Sequence, residues 1–436
     1  MWHLFYNIVL LLLSPVILAV LLAKPRSRQG LFQRLGLKNG LLGLSGRPGR
    51  PVIWIHAVSL GEVVAVTPLV QELSRRHPEC RLVVSTVTET GREAVEQRLA
   101  GVADHCYAPL DFPWVVSRFI ERLQPRLYLF AETELWPNLL WQLRRRGTPT
   151  VLVNGRLSTR SFARQQWTPV RSFYRTMLQG LSLCLMQSDR DVKRIVALGA
   201  EASRVRRTGN IKFDQPIPVV GEDGAARVRL GLHETEQLFV AGSTHPAEEE
   251  ILVNCYHALA ARYPAAVLLL APRHIERVPS IQAMVRAKGL VVQRCSAIGQ
   301  IGALRPMGPR VLLLDSRGEL ATIYREAVVV FVGGTLVPVG GHNLLEPAQW
   351  AKPVLFGPYT DHCAEIAELL IQAGGGRRVS TADDLTQQVI DLFSDCEERK
   401  RMGRSARQML EENQGALQRT VEAVAQLLTP PLTSIG

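Results

Sequence analysis

Carboxylates follow two predicted strands in the first half of the chain. Glu62 comes shortly after the apolar run Val52–Ile55, and Glu132 and Glu134 follow Leu127–Phe130. Loops at the carboxyl ends of parallel strands carry the active sites of α/β proteins. A carboxylate buried at such a position is costly without partners, which favours a functional role for the pair Glu132 and Glu134. Glu62 has an equally weighted alternative, because an acid in the first turn of a helix also stabilises the helix dipole.

Cations follow other predicted strands, where they would suit a phosphorylated substrate. Lys212 and Arg273 each come shortly after a predicted strand. Either could neutralise a phosphate, and an arginine can do so through two parallel hydrogen bonds. The pattern Asp189-x-Asp191 matches a metal-binding signature of some glycosyltransferases. Ser188 just before it makes an ordinary helix cap the favoured interpretation.

One glycine-rich stretch, residues 327–358, has the pattern of strand, turn, short helix and strand. The pairs Gly333-Gly334 and Gly340-Gly341 let the backbone approach a ligand closely. The loop and the helix start are predicted to offer free N–H groups to an anion. Asn343 is a good helix N-cap, and Glu346 can accept hydrogen bonds from vicinal hydroxyls such as those of a ribose. The alternative is a purely structural turn.

Alternating strands and helices must position these residues, and they predict an α/β fold with two doubly wound, Rossmann-like domains. The 436 residues, 47% of them hydrophobic, suffice for two or three domains. Two such domains facing a central cleft are the layout of a GT-B glycosyltransferase. The chain is predicted to end in helices over Leu385–Phe393 and Glu397–Leu427, and Pro216–Gly224 is the predicted linker. The predicted divisions are 1–24 (membrane anchor), 25–215 (first domain) and 216–436 (second domain).

The first 50 residues predict an uncleaved membrane anchor. Trp2–Ala23 is almost wholly apolar and matches the ~20 residues that a spanning helix needs. Positive charges follow this segment, whereas a cleaved signal peptide carries them before it. The positive-inside rule then places the bulk of the chain in the cytoplasm. Pro15 leaves open whether the helix spans the bilayer or lies at its surface, and a buried core helix is the remaining alternative. The basic residues that would sit on anionic headgroups are Lys24, Arg26, Arg28, Arg34 and Lys38.

Charge and cysteine content narrow the function further. The net charge is +12, which suggests nucleic acid, anionic lipid or phosphorylated substrates as partners. Seven cysteines are scattered without any CxxC pair. This distribution indicates a reducing compartment and argues against a structural zinc site or a disulfide framework.

Six motifs together resemble the bacterial 3-deoxy-D-manno-octulosonic acid (Kdo) transferases over essentially the whole chain. They are HAVSLGE (56–62), AETELWPN (131–138), GNIKFD (209–214), GSTH (242–245), PRH (272–274) and GGTLVPVGGHNLLEP (333–347). The resemblance implies transfer of Kdo from CMP-Kdo to a lipid A precursor (lipid IVA) in lipopolysaccharide core biosynthesis, with inversion and without a metal or other cofactor. It implies a cytoplasmic-face, inner-membrane protein that contacts anionic lipids and does not bind nucleic acid.

The resemblance also implies roles for individual residues. Glu62 would be the general base on the acceptor hydroxyl, and Glu132 and Lys212 would stabilise the transition state. Glu134 matches the motif as well as Glu132 does, so their roles stay open. The first domain would bind the acceptor and the second the CMP-sugar. The CMP-binding residues would be Pro272, Arg273, Arg317, Gly318, Glu319, Asn343, Leu344, Leu345 and Glu346.

Two other functions remain open from the sequence. One is a different GT-B enzyme, such as a sugar-nucleotide epimerase or another glycosyltransferase. The other is a membrane-tethered lipid-binding protein without activity. Acids and bases clustered at strand ends in both halves of the chain argue against the second.

Overall fold

Two parallel β-sheets of seven strands each form the framework of the molecule. The structure is a computed structural model that describes residues 2–23, 30–37, 50–215, 225–298 and 308–428. The strands of the first sheet are β1 (Val52–His56), β2 (Arg81–Thr86), β3 (Asp104–Tyr107), β4 (Pro125–Ala131), β5 (Thr150–Gly155), β6 (Leu183–Met186) and β7 (Val205–Arg207). Those of the second are β8 (Gln237–Thr244), β9 (Ala266–Pro272), β10 (Val291–Arg294), β11 (Arg310–Leu313), β12 (Ala327–Val332), β13 (Val354–Phe356) and β14 (Gly376–Arg378).

The strand order shows that both sheets are doubly wound. The first runs β3-β2-β1-β4-β5-β6-β7 and the second β10-β11-β9-β8-β12-β13-β14. In each sheet the chain winds outward in one direction and then returns to wind the other way. The reversal lies between β1 and β4 in the first sheet and between β8 and β12 in the second. Ligands of open α/β sheets bind at such reversals, at the carboxyl ends of the strands.

The helices vary widely in length. In the first half of the chain they are α1 (Trp2–Ala23), α2 (Leu31–Arg34), α3 (Leu60–Arg76), α4 (Glu89–Arg98), α5 (Pro113–Leu123), α6 (Pro137–Arg145), α7 (Thr159–Gln165), α8 (Thr168–Leu178) and α9 (Asp189–Ala197). In the second half they are α10 (Ala225–Arg229), α11 (Glu248–Arg262), α12 (Val278–Ala287), α13 (Leu320–Ile323), α14 (Leu345–Gln349), α15 (Ala364–Gln372), α16 (Ala382–Ser394), α17 (Cys396–Glu412) and α18 (Ala416–Leu428).

Strand β1 shows why its sequence folds as a central strand. All five of its residues are buried, as expected for a parallel strand covered on both faces. Val52 and Trp54 belong to the hydrophobic cluster on one face, and Ile53 and Ile55 to the cluster on the other. The two-residue period of a strand sends alternate side chains to opposite faces. The predicted α/β class with two Rossmann-like domains is confirmed.

The end of the chain corrects the predicted division 216–436. The first compact unit comprises residues 1–215 and 413–436, and the second comprises 216–412. The single helix predicted over Glu397–Leu427 is broken, because Gly415 takes a left-handed φ of 90°, which suits glycine. Asp214 then accepts hydrogen bonds from Gly415 N (2.6 Å) and Leu417 N (2.7 Å) and caps α18. Helix α18 therefore packs in the first unit, where Ala416, Val421 and Val424 are buried.

The predicted N-terminal anchor is helical. Helix α1 spans 22 residues with a mean hydropathy of 2.5, and it is long and apolar enough to cross a membrane. Lys24, Arg26, Arg28 and Lys38 lie outside the described residues, as does the predicted linker 216–224.

Candidate active site

Glu62 is held at the carboxyl end of β1 by the loop that precedes α3. Its carboxylate accepts hydrogen bonds from Val58 N (2.9 Å) and from the Ser59 hydroxyl (3.3 Å). Burial raises the pKa of Glu62 to about 7; the hydrogen bond from Val58 opposes this rise, and the nearby Glu132 and Glu134 add to it. A carboxylate whose pKa lies near neutral pH is suited to act as a general base.

Glu132 follows β4 directly and adopts an unusual backbone conformation. Its φ is 56°, a left-handed value that is uncommon outside glycine and that marks functional sites when the surroundings enforce it. The Glu132 N–H donates to the Val153 carbonyl (3.0 Å), which fixes this conformation. Lys212 Nζ lies 3.5 Å from Glu132 Oε1. This pair separates Glu132 from Glu134, which has no such ion pair among the described residues and whose pKa is raised chiefly by burial.

Asn154 is a site residue that the sequence interpretation missed. It lies at the end of β5, next to β4, and takes a φ of 53°. Its Oδ1 accepts a hydrogen bond from Ile211 N (3.1 Å), and Asn210 Oδ1 accepts one from Lys212 N (3.1 Å). These two amides hold the loop that presents Lys212. The available signal was an asparagine at a strand end before Gly155, since asparagine tolerates the left-handed region better than most residues.

His56 ends β1, just before the Glu62 loop, and is unsuited to act as a base itself. Its side chain is buried, and Nδ1 lies 2.9 Å from Ser85 Oγ, which also accepts the Trp54 indole N–H (2.8 Å). Burial lowers the pKa of His56 to about 4, so the ring is neutral at physiological pH. Its Nε2 is buried and has no hydrogen-bond partner among the described residues.

The Asp189-x-Asp191 pattern forms a helix cap, as predicted. Ser188 Oγ accepts a hydrogen bond from Asp191 N (3.2 Å), and the buried Asp191 carboxylate accepts one from Leu157 N (2.9 Å). Asp189 is exposed and lies 3.4 Å from Arg207. The two carboxylates therefore serve separate structural contacts.

Glu248 organises the glycine-rich loop of the second unit and was also missed. This fully buried residue at the start of α11 accepts hydrogen bonds from His245 N (2.9 Å), Gly334 N (2.7 Å), Thr335 N (3.0 Å) and Leu336 N (2.9 Å). The expectation that these loop N–H groups are free for an anion is wrong, because a carboxylate of the protein already occupies them. The sequence did not single out Glu248, because an acid in the first turn of a helix usually only stabilises the helix dipole.

Three histidines from different motifs meet at the loops after β8, β9 and β12. His245 Nε2 lies 2.8 Å from His342 Nε2 with the rings stacked, and the His274 ring lies 5.8 Å from that of His245. Burial lowers the pKa of His342 to about 4, and neighbouring His245 and Arg273 lower it further. Protonation of His342 is therefore unfavourable unless a negatively charged group binds beside it. The sequence showed these histidines only as separate motif members.

Arg273 is the most accessible cation of this cluster. Its strand neighbour Pro272 ends β9 and is buried, whereas the Arg273 side chain is exposed. The Arg273 N–H donates to the Thr244 carbonyl (3.0 Å), which ties the loop after β9 to the loop after β8. The guanidinium makes no hydrogen bond or ion pair within the described part of the chain.

The segment 343–346 places two polar side chains against each other. Asn343 Oδ1 accepts from Leu345 N (3.1 Å), and Asn343 Nδ2 donates to Glu346 Oε1 (3.1 Å). The side chains of Leu344 and Leu345 are buried, so only their main chain could contact a ligand. The predicted N-cap role of Asn343 is wrong, because the five-residue helix begins at Leu345 with Leu344 as its N-cap, and Asn343 instead closes the turn just before it.

The loop with Arg317, Gly318 and Glu319 follows β11, next to β9 in the sheet. Arg317 is exposed, and Gly318 has a φ of 87°. Glu319 forms an ion pair with Arg229 at 2.8 Å. Together with the loops after β9, β8 and β12, this loop forms one continuous row at the carboxyl edge of the second sheet.

Two Rossmann-like units, each with charged loops at the carboxyl edge of its sheet, define the GT-B fold class. Solved structures with this fold include UDP-GlcNAc 2-epimerase from Neisseria meningitidis, with a TM-score of 0.57 and 12% identity over 86% of this chain and 99% of that one. A glycosyltransferase from Rickettsia africae is similar, with a TM-score of 0.56 and 12% identity over 87% of this chain and 99% of that one. At such identities the likeness concerns the fold alone.

Sequence relatives identify the family. The family model described as 3-deoxy-D-manno-octulosonic-acid transferase (kdotransferase) matches residues 29–215. The 3-deoxy-D-manno-octulosonic acid transferase of Haemophilus influenzae is 37% identical over 97% of this chain and 98% of that protein, and the one of Bordetella pertussis is 35% identical over 85% and 86%. The chain belongs to the Kdo transferase family. The predicted resemblance is confirmed, and the protein is an enzyme that transfers Kdo.

Proposed function

We propose that the enzyme moves Kdo from CMP-Kdo to lipid IVA, a lipid A precursor, with inversion at the anomeric carbon and without a metal. The reaction would occur at the cytoplasmic face of the inner membrane, in lipopolysaccharide core biosynthesis. The observation that carries the proposal is the Glu62 carboxylate, oriented by Val58 N and Ser59 and with a pKa of about 7. The family resemblance supplies the donor and the acceptor.

The first unit would activate the acceptor. The Glu62 carboxylate takes the proton of an acceptor hydroxyl, whose oxygen forms a bond to the anomeric carbon of Kdo. The bond from that carbon to the CMP phosphate oxygen breaks, and CMP leaves with the electron pair. Attack opposite the leaving group inverts the anomeric centre, so a single base suffices.

Lys212 would offset the negative charge that gathers during this step. Its ammonium group lies 3.5 Å from Glu132, which holds it in place without burying it fully. A cation fixed before the reaction stabilises developing charge at little reorganisation cost. In this assignment Glu132 positions Lys212, and Glu134 contributes mainly to raising the pKa of Glu62.

The second unit would bind CMP. The Arg273 guanidinium, which has no partner among the described residues, would bind the phosphate. The neighbouring histidines could share a proton with that phosphate. Asn343 and Glu346 form a polar pair that suits the ribose hydroxyls. The main chain at Leu344 and Leu345 would contribute N–H or C=O groups. The loop of Arg317, Gly318 and Glu319 lies further along the same edge.

Mass spectrometry of the lipid product tests the proposal directly. The full-length enzyme incubated with CMP-Kdo and lipid IVA should release CMP and add Kdo to the lipid, and nuclear magnetic resonance of the new linkage should show inversion. Chelation of divalent metals should leave the rate unchanged. Calorimetry should show binding of CMP in preference to UDP. An unmodified lipid, or a preference for UDP, would overturn the assignment.

A further inference from the structure

Helix α1 contacts the first unit along one side for almost its whole length. The half-buried positions of the helix are 2, 6, 7, 9, 10, 14, 17 and 21. Of these, 6, 10, 14, 17 and 21 repeat at intervals of three or four residues and define an inner face of the helix. Leu10 and Leu21, near the middle and the end of the helix, both pack against the hydrophobic cluster of the first unit. The contact therefore does not end after the first turns.

The polar side chains of α1 all lie on this inner face, and three of them bond to the first unit. His3 Nε2 lies 3.0 Å from Asn138 Oδ1, and Asn7 and Asn138 exchange amide hydrogen bonds of 2.8 and 3.1 Å. The Tyr6 hydroxyl donates to Asp111 (2.9 Å). A polar side chain facing hydrocarbon without a hydrogen-bond partner would be strongly unfavourable, as an unpaired backbone amide is. Here each finds a protein partner.

The outer face of α1 is continuous and apolar. Ten large hydrophobic side chains between Leu4 and Leu22 are exposed, Leu12 by 73% and Leu4 by 67%. These side chains cover more than half of the circumference of the helix, and an exposed apolar surface of this extent indicates contact with a membrane. We expect this face of α1 to contact the lipid acyl chains just below the headgroups.

A membrane-crossing orientation conflicts with these contacts. The docked stretch from His3 to Leu21 is roughly 27 Å long at 1.5 Å per residue, close to the ~30 Å of the hydrocarbon core. If α1 crossed the bilayer while docked, the helices beside it would enter hydrocarbon too. Helix α8, where Ser172 accepts the Trp2 indole N–H (3.0 Å), carries Arg171 and Arg175 on either side of that contact. Charged arginines are costly in hydrocarbon and favourable beside anionic headgroups.

We propose that α1 does not cross the membrane but lies in its surface plane, fixed to the first unit by its inner face. This inference rests on the membrane location proposed above and addresses the alternative of a spanning or a surface-lying helix that the sequence left open. The docking also reaches the catalytic loop, because Asn138 and Asp111 hold the start of α6, which follows the loop of Glu132. Asp111 accepts hydrogen bonds from Asn138 N (2.9 Å) and Leu139 N (3.0 Å).

Site-directed cysteine cross-linking of the full-length protein in native membranes tests the orientation. The pair Asn7→Cys and Asn138→Cys should form a disulfide on mild oxidation, identified by mass spectrometry of the linked peptides. The matched control pairs Asn138→Cys with Ile8→Cys, one residue further on the outer face, and should not link. Absence of the 7–138 link in membranes where the variant still transfers Kdo would overturn the inference and leave the proposed function intact.

A labelling experiment tests the orientation of α1 if the double cysteine variant fails to fold. In sealed vesicles with the cytoplasmic face outward, a membrane-impermeant maleimide should label Trp2→Cys before detergent is added. The exposed native Cys396 provides the internal control for access from that side. Labelling of Cys396 alone, with position 2 reacting only after detergent, would show that α1 crosses the bilayer.

Discussion

The position of Glu62 in the sequence is compatible both with a helix-dipole role and with a role as a general base. An acid in a first helical turn usually serves the helix dipole, and such a role would lower its pKa. The structure instead shows burial beside two further carboxylates, which raises the pKa to about 7. The residue could be named from the motif, but its protonation behaviour depends on neighbours that are about 70 positions away in the chain.

The pH dependence of transfer should follow this carboxylate. Since the base acts in its ionised form, kcat/KM should fall about tenfold per pH unit below the Glu62 pKa and level off above it. The expected inflection is near pH 7, well above the usual range of a glutamate. Initial rates from pH 5.5 to 8.5 at constant ionic strength measure it. A rate independent of pH between 5.5 and 7 would contradict the assigned role.

Glu248 yields a prediction about the second unit, which we propose binds CMP. Each Glu248 oxygen accepts two backbone N–H groups, so the amide in Glu248→Gln sets an NH2 group against two of these four donors. The free energy of unfolding should drop by about 2–4 kcal/mol, and CMP affinity should fall because the glycine-rich loop loosens. Urea denaturation and calorimetry provide the two measurements.

Glu250→Gln is the matched control, because Glu250 lies in the same helical turn but is exposed and pairs with Lys288 alone among the residues that the structure describes. It should cost less than about 0.5 kcal/mol. Equal effects of the two substitutions would show that Glu248 does not organise the loop.

At the scale of elements, the sequence predicted the buried strands well and the edges poorly. Central strands such as β1 and β12 are runs of β-branched and aliphatic residues and are readily predicted. The strands β10 and β14 were missed, because an edge strand has less need of apolar residues, and β14 consists of Gly376, Arg377 and Arg378. The break between α17 and α18 was missed because three residues, Asn413–Gly415, interrupt an otherwise helical pattern.

Asp214 should decide whether α18 stays docked. Its carboxylate accepts two short hydrogen bonds from the start of α18, so Asp214→Ala should weaken that docking by about 1–2 kcal/mol. Hydrogen exchange of the amides in 416–428 should then accelerate by roughly tenfold or more. The loop of Lys212 shares this contact, so transfer should slow as well.

Asp189→Ala controls for the loss of an aspartate at a helix start. Asp189 is exposed and lies 3.4 Å from Arg207, so its removal should leave exchange in 416–428 unchanged. Unaltered exchange in the Asp214 variant would mean that apolar packing alone holds α18.

On the scale of the whole molecule, the positive charge yields a prediction about binding to the membrane surface proposed above. The chain carries a net charge of +12. A cavity of about 910 Å³ in the first unit is lined by four arginines, Arg144, Arg171, Arg175 and Arg204, and by one acid, Glu201, among the described residues. The sequence predicted a basic surface but not this cavity. The residues that line the cavity come from helices α6, α8 and α9 and from the segments that follow α8 and α9.

Binding to vesicles should depend on anionic lipid and on salt. The enzyme should bind phosphatidylglycerol-containing vesicles more tightly than neutral ones, and binding should weaken as salt rises from about 0.1 to 0.5 M. The double variant Arg171→Gln/Arg175→Gln should lose about 1 kcal/mol per arginine, or roughly fivefold for each. Sedimentation with vesicles measures this.

Substituting two exposed arginines of the second unit, Arg286→Gln and Arg404→Gln, changes the net charge equally. This control should retain most of the vesicle binding. An equal loss in both double variants would mean that net charge alone, without a preferred surface, governs the interaction.

The central claim is that the Glu62 carboxylate removes the acceptor proton, and single-turnover transfer by Glu62→Gln tests it most directly. The amide keeps the size of the side chain and can still accept the Val58 N–H, but it cannot take a proton. We expect CMP-Kdo affinity within about twofold of wild type and a transfer rate lower by roughly 10²–10⁴-fold, with Glu72→Gln on the same helix unaffected. Near-normal turnover by Glu62→Gln with saturating donor would contradict the account.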